Sequence, residues 1–506
     1  MTTIKFSLPL AIAAICSLTA CDSDDDSTSI DEQLSEIIET QALNNHPQRN
    51  LPSIESDLAQ LGKKLFFTKA LGGDKDSACV TCHHPVLGGG DNLSLSVGVA
   101  SNDADLLGLG RVHMSGETSI APSVPRNAPT VFNIGLWDSS LFHDSRVESL
   151  NVTEGANGAS GDIRTPDAAF GSTDANAGLN LATAQARFPV TSGEEMRGSS
   201  FEAGNSNQAV RDHLAARLGD YGIGAGELAS STWLSAFQEA YGIDADAEDL
   251  VTYYHIATAI AEYERSMVFT NHPWQQYMDG DQDAISEAAK KGAKLFFTQV
   301  SDGGAGCVSC HTGQLFTDEK HHVVAYPQIG VGKGNGSDGS DDFGRMRETG
   351  NEDDKYAFRT ASLLNISVTG PYSHSGSMPS LESIVRHYMN QTESIADFIA
   401  GENGLGVCNL PQFKDMTNCA DLYPSAQANS QAALTKLKAE QAAGTSLVST
   451  DVDLSDDDVA NLVSFLEALT DPCVTDRDCL APWIPTAAEA EDELQLNAKD
   501  KDGNLL

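Results

Sequence analysis

Basic residues are scarce in this chain: 31 lysines and arginines stand against 72 aspartates and glutamates over 506 residues, a formal net charge of −41. A surface of that sign repels a phosphate backbone, which argues against nucleic acid as a partner and points to a positively charged protein or a saline habitat. Long apolar runs are also missing. The longest near the N-terminus, from Phe6 to Ala20 after the lone Lys5, is too short to span a bilayer and reads as a secretory leader. Sustained strand-like alternation is scarce as well, which argues against a sheet-built fold. The length allows two or three domains with cores of their own.

No cysteine is left without an assignment. Cys16 and Cys21 belong to the leader, whose end, Leu18-Thr19-Ala20-Cys21, resembles a bacterial lipobox in which the cysteine is acylated and becomes the mature N-terminus. Ordinary leader cleavage beside an incidental cysteine is the alternative. Residues 22–50 follow as an acidic, Ser-rich stretch that reads as a flexible tether. Cys408 and Cys419, and again Cys473 and Cys479, sit close enough in sequence to close local disulfides in an oxidising compartment.

The remaining four cysteines lie in two repeats, Cys79-Val80-Thr81-Cys82-His83 and Cys307-Val308-Ser309-Cys310-His311. C-x-x-C-H is the attachment signature of c-type haem. Two thiols at this spacing form thioethers to one porphyrin, and the adjacent histidine reaches the iron. The flanks repeat too: Lys64-Leu65-Phe66-Phe67-Thr68 precedes the first motif and Lys294-Leu295-Phe296-Phe297-Thr298 the second, with Gly62 and Gly292 in matching places. A zinc or redox C-x-x-C needs neither the histidine twice nor the duplicated helix.

Helical periodicity dominates elsewhere, from Val251 to Phe269 and, with Ser455 as N-cap, from Asp456 to Thr470. Gly-rich stretches at 87–110, 154–178, 329–343 and 401–407 read as long loops. The expected fold is therefore mainly α, with two cytochrome c-like helical haem domains and long inserted loops. The expected divisions are a lipoprotein signal at 1–21, the tether at 22–50, a first haem domain at 51–275, a second at 276–475 and an acidic tail at 476–506.

Between about Leu58 and Asp471 the sequence resembles the bacterial diheme cytochrome c peroxidase family, which includes the methylamine-utilisation enzyme that matures a tryptophan-derived quinone. The most specific strings are Arg126-Asn127-Ala128-Pro129-Thr130-Val131-Phe132-Asn133, Phe142-His143-Asp144-Ser145-Arg146, Glu195-Met196, Ala261-Glu262-Tyr263-Glu264-Arg265 and Thr369-Gly370-Pro371-Tyr372-Ser373-His374-Ser375-Gly376, in the family's order. The resemblance implies that His83 holds the peroxide-reacting iron and His311 an electron-relaying one. It makes Glu195 the distal acid/base, with Gln185 and Pro189 lining the same pocket. It also implies a calcium ion between the haems at Asn127, Thr369 and Pro371, although no dense carboxylate cage is visible.

Two departures stand out. His143 occupies the place where most members carry a tryptophan between the haems, and imidazole is harder to oxidise than indole. Tyr388 stands where many peroxidases carry the second haem's methionine, as in the quinone-maturing enzyme; Met389 and Met378 are near enough in sequence to compete. A phenolate favours ferric iron, whereas a thioether raises the potential. His113, fourteen residues before Asn127, is a candidate movable ligand to the first haem.

The leading expectation is a periplasmic or cell-envelope peroxidase, anchored through Cys21 only by lipid, that reduces hydrogen peroxide with electrons from a small redox protein, a cytochrome c or cupredoxin. The alternatives are an oxidase that uses peroxide to modify a side chain of a partner protein, and a non-catalytic diheme electron carrier. Glu195 and Gln185 argue against the carrier, which needs no distal acid/base.

Overall fold

The computed structural model describes residues 28–43, 49–159, 161–450 and 452–506; the leader, Cys21 and their anchoring role lie outside the described residues. The mainly helical class is borne out: among the described residues, strands form three small antiparallel sheets of two or three strands each. Among the described residues no helix is long and apolar enough to cross a membrane.

Six helices organise the molecule: α1 (Ile30–Thr40), α2 (Asp57–Phe67), α3 (Tyr253–Ser266), α4 (Glu287–Phe297), α5 (Leu381–Met389) and α6 (Asp456–Glu467). The sequence repeat becomes a structural one in α2 and α4. Each starts at a serine N-cap, Ser56 accepting from the Ala59 amide and Ser286 from the Ala289 amide. Each then crosses a later helix, α2 against α3 and α4 against α6. The glycine that sits at the same step of both permits the crossing. A Cβ on Gly62 would lie 1.9 Å from the Ala259 carbonyl oxygen, and one on Gly292 would lie 1.9 Å from that of Asn461.

Two apolar cores grow from these crossings. The α2–α3 core gathers Leu65, Phe66, Ile256 and Tyr263, and the α4–α6 core gathers Phe296, Phe465, Leu462 and Trp274. The cores do not respect the linear division at 275. Ile134, Trp137, Ile163 and Phe188, from the first half of the chain, pack into the second core.

Two segments correct the sequence reading. The supposed tether at 22–50 contains α1, whose Leu34 is fully buried in the second core and whose Asp31 accepts hydrogen bonds from Tyr277 (2.7 Å) and pairs with Lys290 (2.8 Å). Two buried anchors and an ion pair hold a helix there, too few apolar residues to lift the stretch above its acidic background. The supposed tail at 476–506 is a strap over the first core. Leu480, Leu496 and Ala498 are buried in it, the Leu496 amide donates to the Phe67 carbonyl (2.8 Å), and Asp492 accepts from Trp233 Nε1 (2.7 Å). The disulfides Cys408–Cys419 and Cys473–Cys479 both form, the second at the start of that strap.

Candidate active site: two adjoining cavities

The C-x-x-C-H motifs follow α2 and α4 on tight turns, Cys79–Thr81 and Cys307–Ser309, and each delivers its histidine to a separate cavity. His83 Nδ1 lies 3.2 Å from the Gly89 carbonyl oxygen and His311 Nδ1 lies 2.9 Å from that of Phe316. A carbonyl at Nδ1 fixes the proton there and leaves Nε2 as a lone-pair donor. Burial favours the same neutral form, lowering His83 to about 4 and shifting His311 downward. Cys79, Cys82, Cys307 and Cys310 are all free thiols. The first cavity thus combines both motif thiols, and the second the Cys310 thiol, with a neutral, oriented imidazole, the donor types a c-type haem needs.

The first cavity is lined by Cys79, Cys82, His83, Gln185, Pro189 and Glu195, so the residues named from sequence do converge. Gln185 ends a short helix, Leu181–Gln185, capped by Asn180, and Pro189 opens the next turn. Glu195 sits on one turn of π-helix, Gly193–Arg197, closed by the Arg197 amide donating to the Ser192 carbonyl (2.9 Å). Such wide turns occur often at functional sites because they re-aim a side chain. Gly98 lets the neighbouring loop pass close beneath, since its Cβ would lie 2.3 Å from the Glu195 carbonyl oxygen. Burial raises the Glu195 carboxyl above its usual range, opposed chiefly by Arg146 and then by Lys333.

The second cavity is lined by Cys310, His311 and Tyr388, together with Asn127, Thr369 and Pro371. Tyr388 projects from α5 and meets Tyr326 edge-on, their ring centres 6.1 Å apart. Met378 is fully buried in a different cluster with Leu95 and Ile329, and neither it nor Met389 lines this cavity. No carboxylate stands among the described residues of its lining.

The wall between the cavities is shared. Asn127, Ala128, Pro129, Trp137, His143 and Arg359 face both. His143 Nε2 lies 3.1 Å from the Asn127 carbonyl oxygen, and burial together with Arg126 lowers it to about 4, so it stands neutral in the wall. Arg126 ties the wall down. Its Nε pairs with Asp342 at 2.7 Å and its Nη1 with Asp144 at 2.6 Å. Asn127 Nδ2 donates to the Leu93 carbonyl at 2.8 Å, and among the described residues no cluster of three or more His, Cys, Asp or Glu side chains is placed to hold a metal ion. His113 sits in a hairpin, Nδ1 3.3 Å from the Ala121 carbonyl oxygen, and does not line the first cavity.

Among the lining residues that sequence reasoning did not assign to the site are Trp137, Glu264, Tyr326 and Lys333. Trp137 and Glu264 lie within or beside the strings quoted above but carry no spacing signal, while Tyr326 and Lys333 come from connecting segments whose placement only the folded chain decides.

A family model for di-haem cytochrome c peroxidases matches residues 56–283. The methylamine utilization protein MauG of Methylorubrum extorquens is 28% identical over 348 residues, covering 69% of this chain and 72% of that protein. Cytochrome c551 peroxidase of Pseudomonas aeruginosa is 27% identical over 335 residues, covering 66% of this chain and 71% of that one. The crystal structure of a MauG-like protein associated with microbial copper homeostasis shares the fold, with a TM-score of 0.53 at 20% identity over 86% of this chain and 97% of that one. With two cavities built on repeated C-x-x-C-H helices and these relatives, the chain is similar to the bacterial diheme cytochrome c peroxidases.

Proposed function

We propose that this protein reduces hydrogen peroxide in its first cavity and passes the required electrons inward through its second. The observation that carries the reading is the asymmetry of the cavities: a half-buried carboxyl and an amide, Glu195 and Gln185, line the one that holds His83, and among the described residues no carboxylate lines the one that holds His311. Two covalent haems, one held by Cys79, Cys82 and His83 and the other by Cys307, Cys310 and His311, would supply the redox chemistry. Glu195 takes the proton from one peroxide oxygen and returns it to the other, and Gln185 orients the bound peroxide through its amide. One peroxide then consumes two electrons and two protons and leaves as two waters. A small redox protein, a cytochrome c or cupredoxin, is the donor. A calcium ion at Asn127, Thr369 and Pro371 would brace the wall between the cavities.

The two closed disulfides suit an exported protein, since such bonds persist in oxidising compartments. Periplasmic or cell-envelope placement through the leader, with a lipid on Cys21, completes the reading.

A second reading, oxidation of a partner protein's side chain, is favoured by Tyr388 in the His311 cavity, because a phenolate ligand holds a haem at low potential. One set of rapid-mixing measurements tests both. Glu195→Gln should keep both haems and slow the reaction with peroxide about a hundredfold or more, the usual scale for a lost acid/base; unchanged kinetics would refute the assignment. Fully oxidised wild-type protein should react with peroxide at once if Tyr388 is the ligand, and Tyr388→Phe should not. A need for prior reduction in wild type removes the second reading.

A further inference from the structure

Four cationic side chains line the first cavity: Arg126, Arg146, Arg359 and Lys333. Three are already matched. Arg126 is held between Asp342 and Asp144, Arg146 contacts Asp144 at 3.2 Å while lying 3.4 Å over the Phe142 ring, and Arg359 faces Glu319 at 3.5 Å. Among the described residues no ion pair holds the Lys333 ammonium, although the residue is half-buried.

Its position is built, not incidental. Lys333 lies in the loop 330–341, which turns back on itself through Gly330, Gly332 and Gly334, all with positive φ (+100°, +70° and +80°). The Lys333 amide donates to the Asp341 carbonyl at 2.9 Å, the Gly334 amide donates to Gly339 at 3.0 Å, and Arg347 donates to the Lys333 carbonyl. A Cβ on Gly332 would meet the Ser340 carbonyl carbon at 2.2 Å, so the loop closes this tightly only with glycine there. The loop belongs to the part of the chain after the second haem motif, yet it delivers its lysine to the cavity of the first. Two carboxyls line that cavity, Glu195 and Glu264, and the charge of Lys333 is felt at Glu195 while burial alone sets Glu264.

We propose that Lys333 is the positioning residue for Glu195: its unmatched ammonium, carried from the second half of the chain into the same cavity, favours the ionised form of the distal carboxylate and makes the cavity receptive to anions. The inference rests on Glu195 being the distal acid/base, but the charge it assigns to the cavity does not. The groups that face this pair are Arg146 and Arg126 on both members, with Asp144 on Lys333 and Glu194 on Glu195. The arginines hold the carboxylate partly ionised when Lys333 is removed, so the effect is a shift and not a loss.

The test uses the diheme holoprotein with azide as an anionic probe of the first cavity, followed by absorption, beside the pH profile of the peroxide reaction. Lys333→Met keeps most of the aliphatic stem and removes the charge. It should weaken azide binding about tenfold and move the acid limb of the profile up by about one pH unit, the lower end of the shift a nearby opposite charge produces. Lys333→Arg should restore both. In a Glu195→Gln background the limb should no longer respond to Lys333→Met, while azide affinity still falls. Azide binding and an acid limb unmoved in both Lys333→Met and Lys333→Gln, with haem content intact, would overturn the proposal and leave Lys333 a packing residue. If azide responds but no variant alters the peroxide reaction, the charge assignment stands and the role of Glu195 fails instead.

Discussion

Single side chains in the first cavity are set by burial more than by partners. Glu264, on α3, is only 3% exposed, and among the described residues its Oε2 has no hydrogen-bond partner; burial pushes its carboxyl up to about 8. The ordinary value is 4.5, so between about pH 4.5 and pH 8 the unfolded chain has released this proton while the folded protein keeps it. The folded state then binds more protons than the unfolded one, and its stability falls as pH rises through that window. Glu264→Gln should abolish this part of the fall, by up to about 1.4 kcal/mol per pH unit, the slope for one proton. Denaturant midpoints measured from pH 5 to 8 report it, and parallel curves for variant and wild type would sink the idea. The burial of Glu264 is not legible in sequence, where the residue stands in a family string but is one acid among 72.

At the scale of elements, the duplicated segment was legible and its partners were not. Lys64-Leu65-Phe66-Phe67-Thr68 and Lys294-Leu295-Phe296-Phe297-Thr298 announce a repeated helix, and Gly62 and Gly292 mark the step at which it meets another backbone. The helices they cross, α3 and α6, share no comparable string, because a crossing partner has only to offer a bare carbonyl and a small neighbouring surface. Each glycine faces a carbonyl that the partner helix holds in place, so a methyl group there forces the helices apart. Gly62→Ala and Gly292→Ala should each cost about 1–3 kcal/mol or more, the range for overpacking a close-packed core. Thermal unfolding followed by helical circular dichroism checks this. Full stability in either variant would mean that the crossing yields more easily than the 1.9 Å approach implies.

For the whole molecule, charge and interleaving matter most. A net charge of −41 creates a long-range field that speeds encounter with a cationic redox partner and slows encounter with an acidic one. With a basic cytochrome c as donor, the second-order rate of reduction should fall severalfold between about 0.01 M and 0.15 M ionic strength, as the screening length drops from about 30 Å to about 8 Å. Stopped-flow mixing over a salt series measures it, and a flat or rising dependence would show that the docking face is not the acidic one. The halves cannot be treated as beads on a string. Ile134, Trp137 and Phe188 from the first half help to fill the second core, the strap at 476–506 returns to the first, and Lys333 enters the first cavity from the second half.

The sequence alone determined what covalent chemistry and local capping require. A serine before each duplicated helix and close cysteines at 408 and 419 have their consequences within a dozen residues, and these appear in the structure as two caps and a disulfide. It also carried the names of Gln185, Glu195, Asn127, Thr369, Pro371 and Tyr388, through family strings and not through any local signal. Only the tertiary structure decided which residues share a cavity: that Tyr388 joins His311 while Met378 and Met389 stay outside, that His143 and Trp137 stand in one wall, and that residues 30–40 and 476–506 are packed and not loose. The physical reason is range. Attachment motifs and caps are fixed by neighbours along the chain, whereas burial, the pairing of charges and the sharing of a wall depend on surfaces that meet from hundreds of residues apart.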